Sequence, residues 1–234
     1  MKAVAIIPAR GGSKRIPHKN VKSFFGKPMI QYSIEAALRS GLFDEVIVST
    51  DDAEIKKIAE DLGARVPFER PTTLADDFTP LAGVVAHSLQ YLRDNEGKDY
   101  EAACCILATA PFIHVDDLKK GYRLLSDMKA PAVVPVTSFA FPIFRALKIS
   151  TEGAIEMVWP EHELTRSNDL PETFHDAGQF YWLETKTFLR DRRLYAKGAR
   201  PLVIPRYRVQ DIDTLEDWER AEKIYRGLHS AQEV

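Results

Sequence analysis

Thirteen residues near the start of the chain, Pro-Ala-Arg-Gly-Gly-Ser-Lys-Arg-Ile-Pro-His-Lys-Asn from Pro8 to Asn20, carry the densest chemistry in the sequence. The paired glycines Gly11 and Gly12 let a backbone pass close to an anion with its N–H groups turned inward. Arg10, Ser13, Lys14, Arg15 and Lys19 add charge and hydrogen-bond donors, so the loop is suited to gripping phosphates; a solvated basic turn is the plainer alternative. It is neither of the common phosphate motifs: no Gly-Lys-Ser/Thr follows at Walker A spacing, and no third glycine completes G-x-G-x-x-G. Kinase and dehydrogenase chemistry are correspondingly disfavoured.

A second signal lies near the other end, in Gln210-Asp211-Ile212-Asp213-Thr214. In an extended chain, period-two spacing turns Asp211 and Asp213 to the same side, which suits two hard oxygens sharing one Mg²⁺. Capping of the following helix explains either aspartate equally well. Taken together, a polyphosphate loop and a carboxylate pair meet the needs of in-line displacement at a nucleotide's α-phosphate: cations for the leaving pyrophosphate and a metal on the reacting phosphate. Nucleotidyl transfer is therefore the leading expectation.

The elements that must position these residues follow a strand-helix grammar. Ala3 to Ile7 is a continuously apolar run that reads as a strand buried on both faces, and the basic loop leaves its end. Pro28 is placed as a first-turn proline, Ile30, Ile34, Ala37 and Leu38 recur at helical spacing, and Gly41 occupies a C-terminal cap position. Val46 to Val48 predicts the next strand, followed by a helix with Asp51 as N-cap and Ile55, Ile58, Ala59 and Leu62 inward. The alternation continues through a helix from Thr79-Pro80, a strand at Ala103 to Leu107, a helix from Asp116 or Asp117 and a strand at Ala132 to Val136. Such a pattern implies an open parallel sheet with helices on both faces, a three-layer Rossmann-like α/β architecture. Residues 138–184 change to short strand-like pieces and read as an inserted β-rich arm within a single domain spanning 1–234. The chain then returns through Leu202 to Ile204 and ends in a helix capped by Thr214 and Asp217.

Composition narrows the partners. Thirty-two Lys and Arg against 34 Asp and Glu give a net charge of -2, so no global basic field exists to hold a nucleic-acid polymer. Cys104 and Cys105, the only cysteines, read as small hydrophobes facing opposite sides of a buried strand. The apolar stretches are too short for a signal-peptide core or a membrane span, which predicts a cytoplasmic protein away from the membrane.

At the motif level the chain resembles the CMP-nonulosonic acid synthetases, which join CTP to a sialic-acid-like nine-carbon sugar acid and release pyrophosphate. The resemblance rests on Ile7 to Asn20, Val48-Ser-Thr-Asp51, Arg70-Pro71, Thr109-Ala-Pro111 and Asp211-Ile-Asp213, in that order over nearly the whole chain. It implies a nucleotidyltransferase sheet in which Arg10, Ser13 and Lys14 grip the triphosphate beside Gly11 and Gly12. Asn20 would hold the reacting phosphate or incoming hydroxyl, Arg70 and the Ala9 backbone would lie against cytosine, and Asp211 and Asp213 would bind Mg²⁺. Asp76, Asp77 and Thr79 fall where such enzymes line the nucleotide pocket, or else cap the next helix.

Two departures point within the family. Leu107 stands where the sialic acid enzymes carry a glutamine toward the sugar, and His175-Asp-Ala-Gly-Gln-Phe-Tyr-Trp182 replaces their Asn-Gly-Ala pattern. That segment, with Ala108-Thr-Ala-Pro-Phe112, resembles the pseudaminic acid cytidylyltransferases instead. On physical grounds Arg166 would hold a sugar carboxylate, His175 and Gln179 its acylamino or hydroxyl groups, and Tyr181 and its aromatic neighbours an apolar face, with Thr109 nearby; core packing is the alternative for the aromatics. The resemblance further implies a homodimer whose arms exchange, for which Phe139, Phe141, Phe144, Ile155 and Trp159 would supply apolar surface. The alternatives are CMP-N-acetylneuraminate synthesis, CMP-3-deoxy-manno-octulosonate synthesis, or a nucleotide-binding subunit without turnover.

Overall fold

A computed structural model describes residues 1–230. The chain runs through β1 (Ala3–Pro8), β2 (Ser23–Phe24), β3 (Lys27–Pro28), α1 (Met29–Ser40), β4 (Glu45–Ser49), α2 (Ala53–Asp61), α3 (Leu81–Glu96), β5 (Ala102–Ile106) and α4 (Val115–Asp127). It continues with β6 (Ala132–Ser138), β7 (Leu147–Ile149), β8 (Ile155–Met157), β9 (Phe174–Asp176), β10 (Phe180–Glu184), α5 (Thr185–Asp191), β11 (Arg200–Val203) and α6 (Leu215–Ser230). The main sheet is ordered β11-β6-β10-β5-β1-β4, with β9 added alongside β6.

Because successive strand residues face opposite sides, the apolar run of β1 feeds both layers at once. Ala3, Ala5 and Ile7 pack with Ile30 and Ile34 of α1, Ile55 of α2 and Leu118 of α4, while Val4 and Ile6 meet Val85, Leu89 and Leu92 of α3. Cys104 and Cys105 separate in the same way, one to each layer, and both are fully buried free thiols. Gly41 ends α1 in the left-handed region at φ 63°, as its position predicts.

The sheet is parallel-rich rather than wholly parallel. The β5-α4-β6 crossover leaves a gap between its two strands, and β10 fills it antiparallel to both, with Trp182 opposite Cys104 on one side and Val133 on the other. β10 is reached by a return from the inserted segment rather than through a crossover helix, which is why it runs the other way. Of residues 138–184, β9 and β10 therefore belong to the main sheet, and the exposed β7–β8 hairpin forms a separate two-stranded sheet.

Trp182 also sets a packing test. Its indole is fully buried and donates to the Leu118 carbonyl at 3.1 Å, and a methyl at Gly121 of α4 would sit 2.7 Å from the ring's Cδ1. Gly121→Ala is expected to cost about 1–3 kcal/mol as an overpacked core substitution. Denaturant unfolding measures it; an unchanged midpoint would show that the ring yields without cost.

Candidate active site

The basic loop leaves the C-terminal end of β1, at the edge of the crevice where open α/β sheets bind ligands. Local contacts fix its course. Ala9 N–H donates to the Ser49 carbonyl at 2.9 Å, Gly11 N–H to Asp51 Oδ1 at 3.0 Å, and Asn20 Nδ2 to the Arg10 carbonyl at 2.9 Å. The N-cap of α2 is Asp52 rather than Asp51, its carboxylate accepting from the Glu54 and Ile55 amides. Asp51 is one residue too early for that geometry and braces the loop instead. Gly11 has no room for a side chain, since a Cβ would lie 2.5 Å from Asp52 Oδ2.

Hydrophobic packing brings the two ends of the chain together. Ile16, between the loop cations, and Ile212, between the two aspartates, are both fully buried in one cluster with Phe24, Met29, Phe112 and Trp218. Across this contact Lys19 Nζ donates to the Ile212 carbonyl at 2.6 Å and reaches Asp213 Oδ1 at 3.3 Å, while Arg15 meets Asp213 Oδ2 at 2.9 Å. Thr214 and Asp217 close α6 reciprocally: Asp217 accepts from the Thr214 amide at 2.8 Å, and its own amide donates to Thr214 Oγ1 at 3.2 Å. Capping thus falls to Thr214 and Asp217 together, and neither the Asp211 nor the Asp213 side chain is consumed by it.

A cleft of about 550 Å³ is lined by Arg10, Ser13, Lys14, Asn20, Arg70, Asp76, Asp77, Thr79, Thr109 and Asp213. Arg70 is nearly fully buried; its Nε donates to Ser49 Oγ at 3.0 Å, and desolvation brings its pKa down to about 10. Leu107 and Ala108 line the same cleft. Asp76 accepts from the Phe78 and Thr79 amides at 2.9 and 2.6 Å, whereas Asp77 meets both Arg10 and Lys14 at 2.6 Å.

Next to it lies a cavity of about 480 Å³, lined by Thr137, His175, Asp176, Arg206, Gln210, Asp211 and Arg220 among others, and Asp213 borders both spaces. Desolvation, then the charge of Asp213, raises the Asp211 carboxyl above the ordinary carboxylate range. Asp213 is already paired with Arg15 and Lys19, so Asp211 is the carboxylate whose desolvated charge a bound cation would relieve. Among the described residues no third acidic, His or Cys side chain joins them. The pair therefore fits Mg²⁺, which commonly takes one or two carboxylates and fills its octahedron with water and substrate phosphate.

Of the residues expected around a sugar, His175 alone lines this second cavity. Gln179 is buried and donates to the Arg208 carbonyl at 2.6 Å, and Tyr181 is a core residue of β10 whose hydroxyl donates to Asp176 at 2.5 Å. Their aromatic neighbours Phe180 and Trp182 are wholly internal, since β10 is a central strand covered on both faces. Arg166 is exposed on the inserted segment, 3.9 Å from Asp169 and in neither space. Arg206 and Arg220 line the second cavity from outside the sequence motifs. Their only sequence signal is a high density of basic residues around β11 and α6, which does not reveal a facing direction.

Comparison with known proteins identifies the family and the fold. A family model described as cytidylyltransferase matches residues 4–225. A pseudaminic acid cytidylyltransferase of Campylobacter jejuni serotype O:2 is 41% identical over 231 residues, covering 99% of each chain. A CMP-N,N'-diacetyllegionaminic acid synthase of Legionella pneumophila is 29% identical, covering 96% of each. In fold, the chain is similar to a CMP:2-keto-3-deoxy-manno-octonic acid synthetase solved with CTP, at TM-score 0.71 and 20% identity over the full length of both. No helix among the described residues is long and apolar enough to cross a membrane.

Proposed function

The chain belongs to the cytidylyltransferase family, and from that premise we propose that it transfers CMP from CTP to the anomeric hydroxyl of a nonulosonic acid, pseudaminic acid, releasing pyrophosphate. The observation that carries this reading is the single cleft in which Arg10, Lys14, Asn20 and Arg70 face Asp213, next to a second cavity that holds Asp211. One nucleotide in the first space and one sugar acid in the second would meet at the aspartate pair.

In this reading Arg70 and the Ala9 backbone receive cytosine, while Gly12 and Ser13 carry the phosphates and Gly11, its N–H held by Asp51 Oδ1, shapes the loop that approaches them. Arg10 and Lys14 offset the charge that builds on the β- and γ-phosphates as the α–β bond breaks. Asn20, tied to the Arg10 carbonyl, holds the reacting phosphate or the attacking oxygen in line. Asp211 and Asp213 would hold Mg²⁺, which when bound supplies Lewis-acid stabilisation of the reacting phosphate. The sugar oxygen forms the new bond to the α-phosphorus as pyrophosphate departs, and its proton leaves to water, the anomeric hydroxyl of a 2-keto acid being acidic enough to require no strong base.

On the acceptor side, His175 lines the sugar cavity, and Leu107 and Ala108 give the adjoining nucleotide cleft an apolar wall. Arg166 would serve a sugar carboxylate only across a dimer. The inserted segment supports such a dimer by exposing Phe141, Leu147, Ile149, Ile155 and Leu164, an apolar surface characteristic of interfaces. Phe144 and Trp159 stack edge-on within it, and Phe139 packs on His175.

The test is pyrophosphate release from CTP with pseudaminic, N-acetylneuraminic and 3-deoxy-manno-octulosonic acids in parallel. The expected result is turnover with the first at a kcat/KM at least about tenfold above the others, since a single buried polar mismatch discriminates by that much or more. Preference for another acid would reassign the acceptor, and no release with any would leave a nucleotide-binding subunit.

A further inference from the structure

The cations of the phosphate loop are all committed to carboxylates. Arg15 and Lys19 are paired with Asp213, at 2.9 and 3.3 Å, and Arg10 and Lys14 are paired with Asp77, each at 2.6 Å. Asp213 has a further task in the proposed metal site. Asp77 has none, yet it occupies the same cleft as the groups expected to grip a triphosphate.

The setting of Asp77 identifies what it imitates. Its two oxygens are divided between the two cations, Oδ1 on Arg10 Nη1 and Oδ2 on Lys14 Nζ, as two phosphate oxygens would be. Lys14 and Arg10 hold its carboxyl below the ordinary range, so it is an anion at neutral pH. It is presented by a short segment between the Thr72–Leu74 turn and α3, braced from behind by Asp76, with the neighbouring Phe78 ring almost wholly in solvent. Nothing in the core depends on its position.

We propose that Asp77 is an internal stand-in for the polyphosphate: it holds Arg10 and Lys14 in gripping position while the cleft is free of nucleotide, and it competes with pyrophosphate for them. Two consequences follow from one contact. The loop cations stay gathered despite their mutual repulsion, so less ordering is left for the nucleotide to impose. A carboxylate waiting beside the cations also weakens retention of the leaving group and promotes its escape. Asp77 is thus a positioning residue for nucleotide entry and product release. This inference rests on the nucleotidyl-transfer reading above.

Isothermal titration of the full chain with inorganic pyrophosphate in the presence of a chelator tests it without turnover or metal. Asp77→Asn, close to isosteric, is expected to bind pyrophosphate about tenfold more tightly, the yield of releasing two partly exposed ion pairs. Product inhibition by pyrophosphate should strengthen in parallel, and Asp77→Glu should restore the native affinity. Unchanged or weaker binding by Asp77→Asn, with an unaltered melting temperature, would overturn the proposal and leave Asp77 as an organiser only. Failure of the unmutated chain to bind either pyrophosphate or CTP would instead remove the nucleotide reading on which it stands.

Discussion

Replacing Lys14 by alanine is expected to lower kcat/KM for CTP by ~10²-fold or more, within the range seen when one preorganised donor to a developing charge is deleted. The side chain is 82% exposed and, among the described residues, pairs with Asp77 alone, so its removal leaves no buried group unsatisfied and the fold should persist. What is lost is a positive charge beside the bond that breaks. Because that charge is needed most as pyrophosphate separates, kcat should fall more than CTP affinity. Steady-state kinetics with a melting curve on the same sample decides the matter. Near-normal turnover would remove Lys14 from the reaction, and a large loss of melting temperature would show a structural role instead. Lys14→Arg offers a second check: it keeps the charge but spreads it over a planar fork, so partial rescue is expected.

The second large effect is expected at Asp211. Asp211→Asn should raise the Mg²⁺ concentration for half-maximal activity at least about tenfold, since even outer partners of metal ligands commonly cost 10–100-fold in affinity. Titration calorimetry of the CTP complex with Mg²⁺ gives the same quantity without turnover. CTP binding without metal should change little, because Asp211 lines the adjacent cavity and not the nucleotide cleft. The substitution also removes a carboxylate that is disfavoured first by desolvation and then by the charge of Asp213, so the protein should be no less stable than before. An unchanged metal titration would make the pair structural, with Asp213 serving only to anchor Arg15 and Lys19.

These effects hinge on a juxtaposition of residues nearly two hundred positions apart, and their parts differ in how legible they are. The loop cations declare themselves by type and density. The strand before them, Ala3 to Pro8, is an unbroken apolar run because it is an internal strand of a sheet covered on both faces, and local composition records that directly. The helix limits at Gly41 and at Thr214 with Asp217 are equally local, since a left-handed cap and a capping box satisfy backbone groups within a few residues. The alternation of these elements suffices to define the α/β class, and the order of motifs along the chain is enough to mark its resemblance to the cytidylyltransferase family that it belongs to.

The facing of side chains in the inserted segment is decided at longer range. Gln179 to Trp182 carries polar and aromatic groups in a pattern that suits a pocket wall and a core strand equally well. The vacancy between β5 and β6 draws these residues into the sheet, where Trp182 packs over Gly121 and Tyr181 turns its hydroxyl to Asp176. Asp51 and Asp52 are a similar case: adjacent and chemically identical, they divide between bracing the loop and capping α2 according to a one-residue difference in register. From the sequence come an inventory of chemical groups and the local rules that shape each element. The fold decides which of those groups share a space, because burial of Ile16 against Ile212 is a long-range packing choice that short-range spacing does not encode.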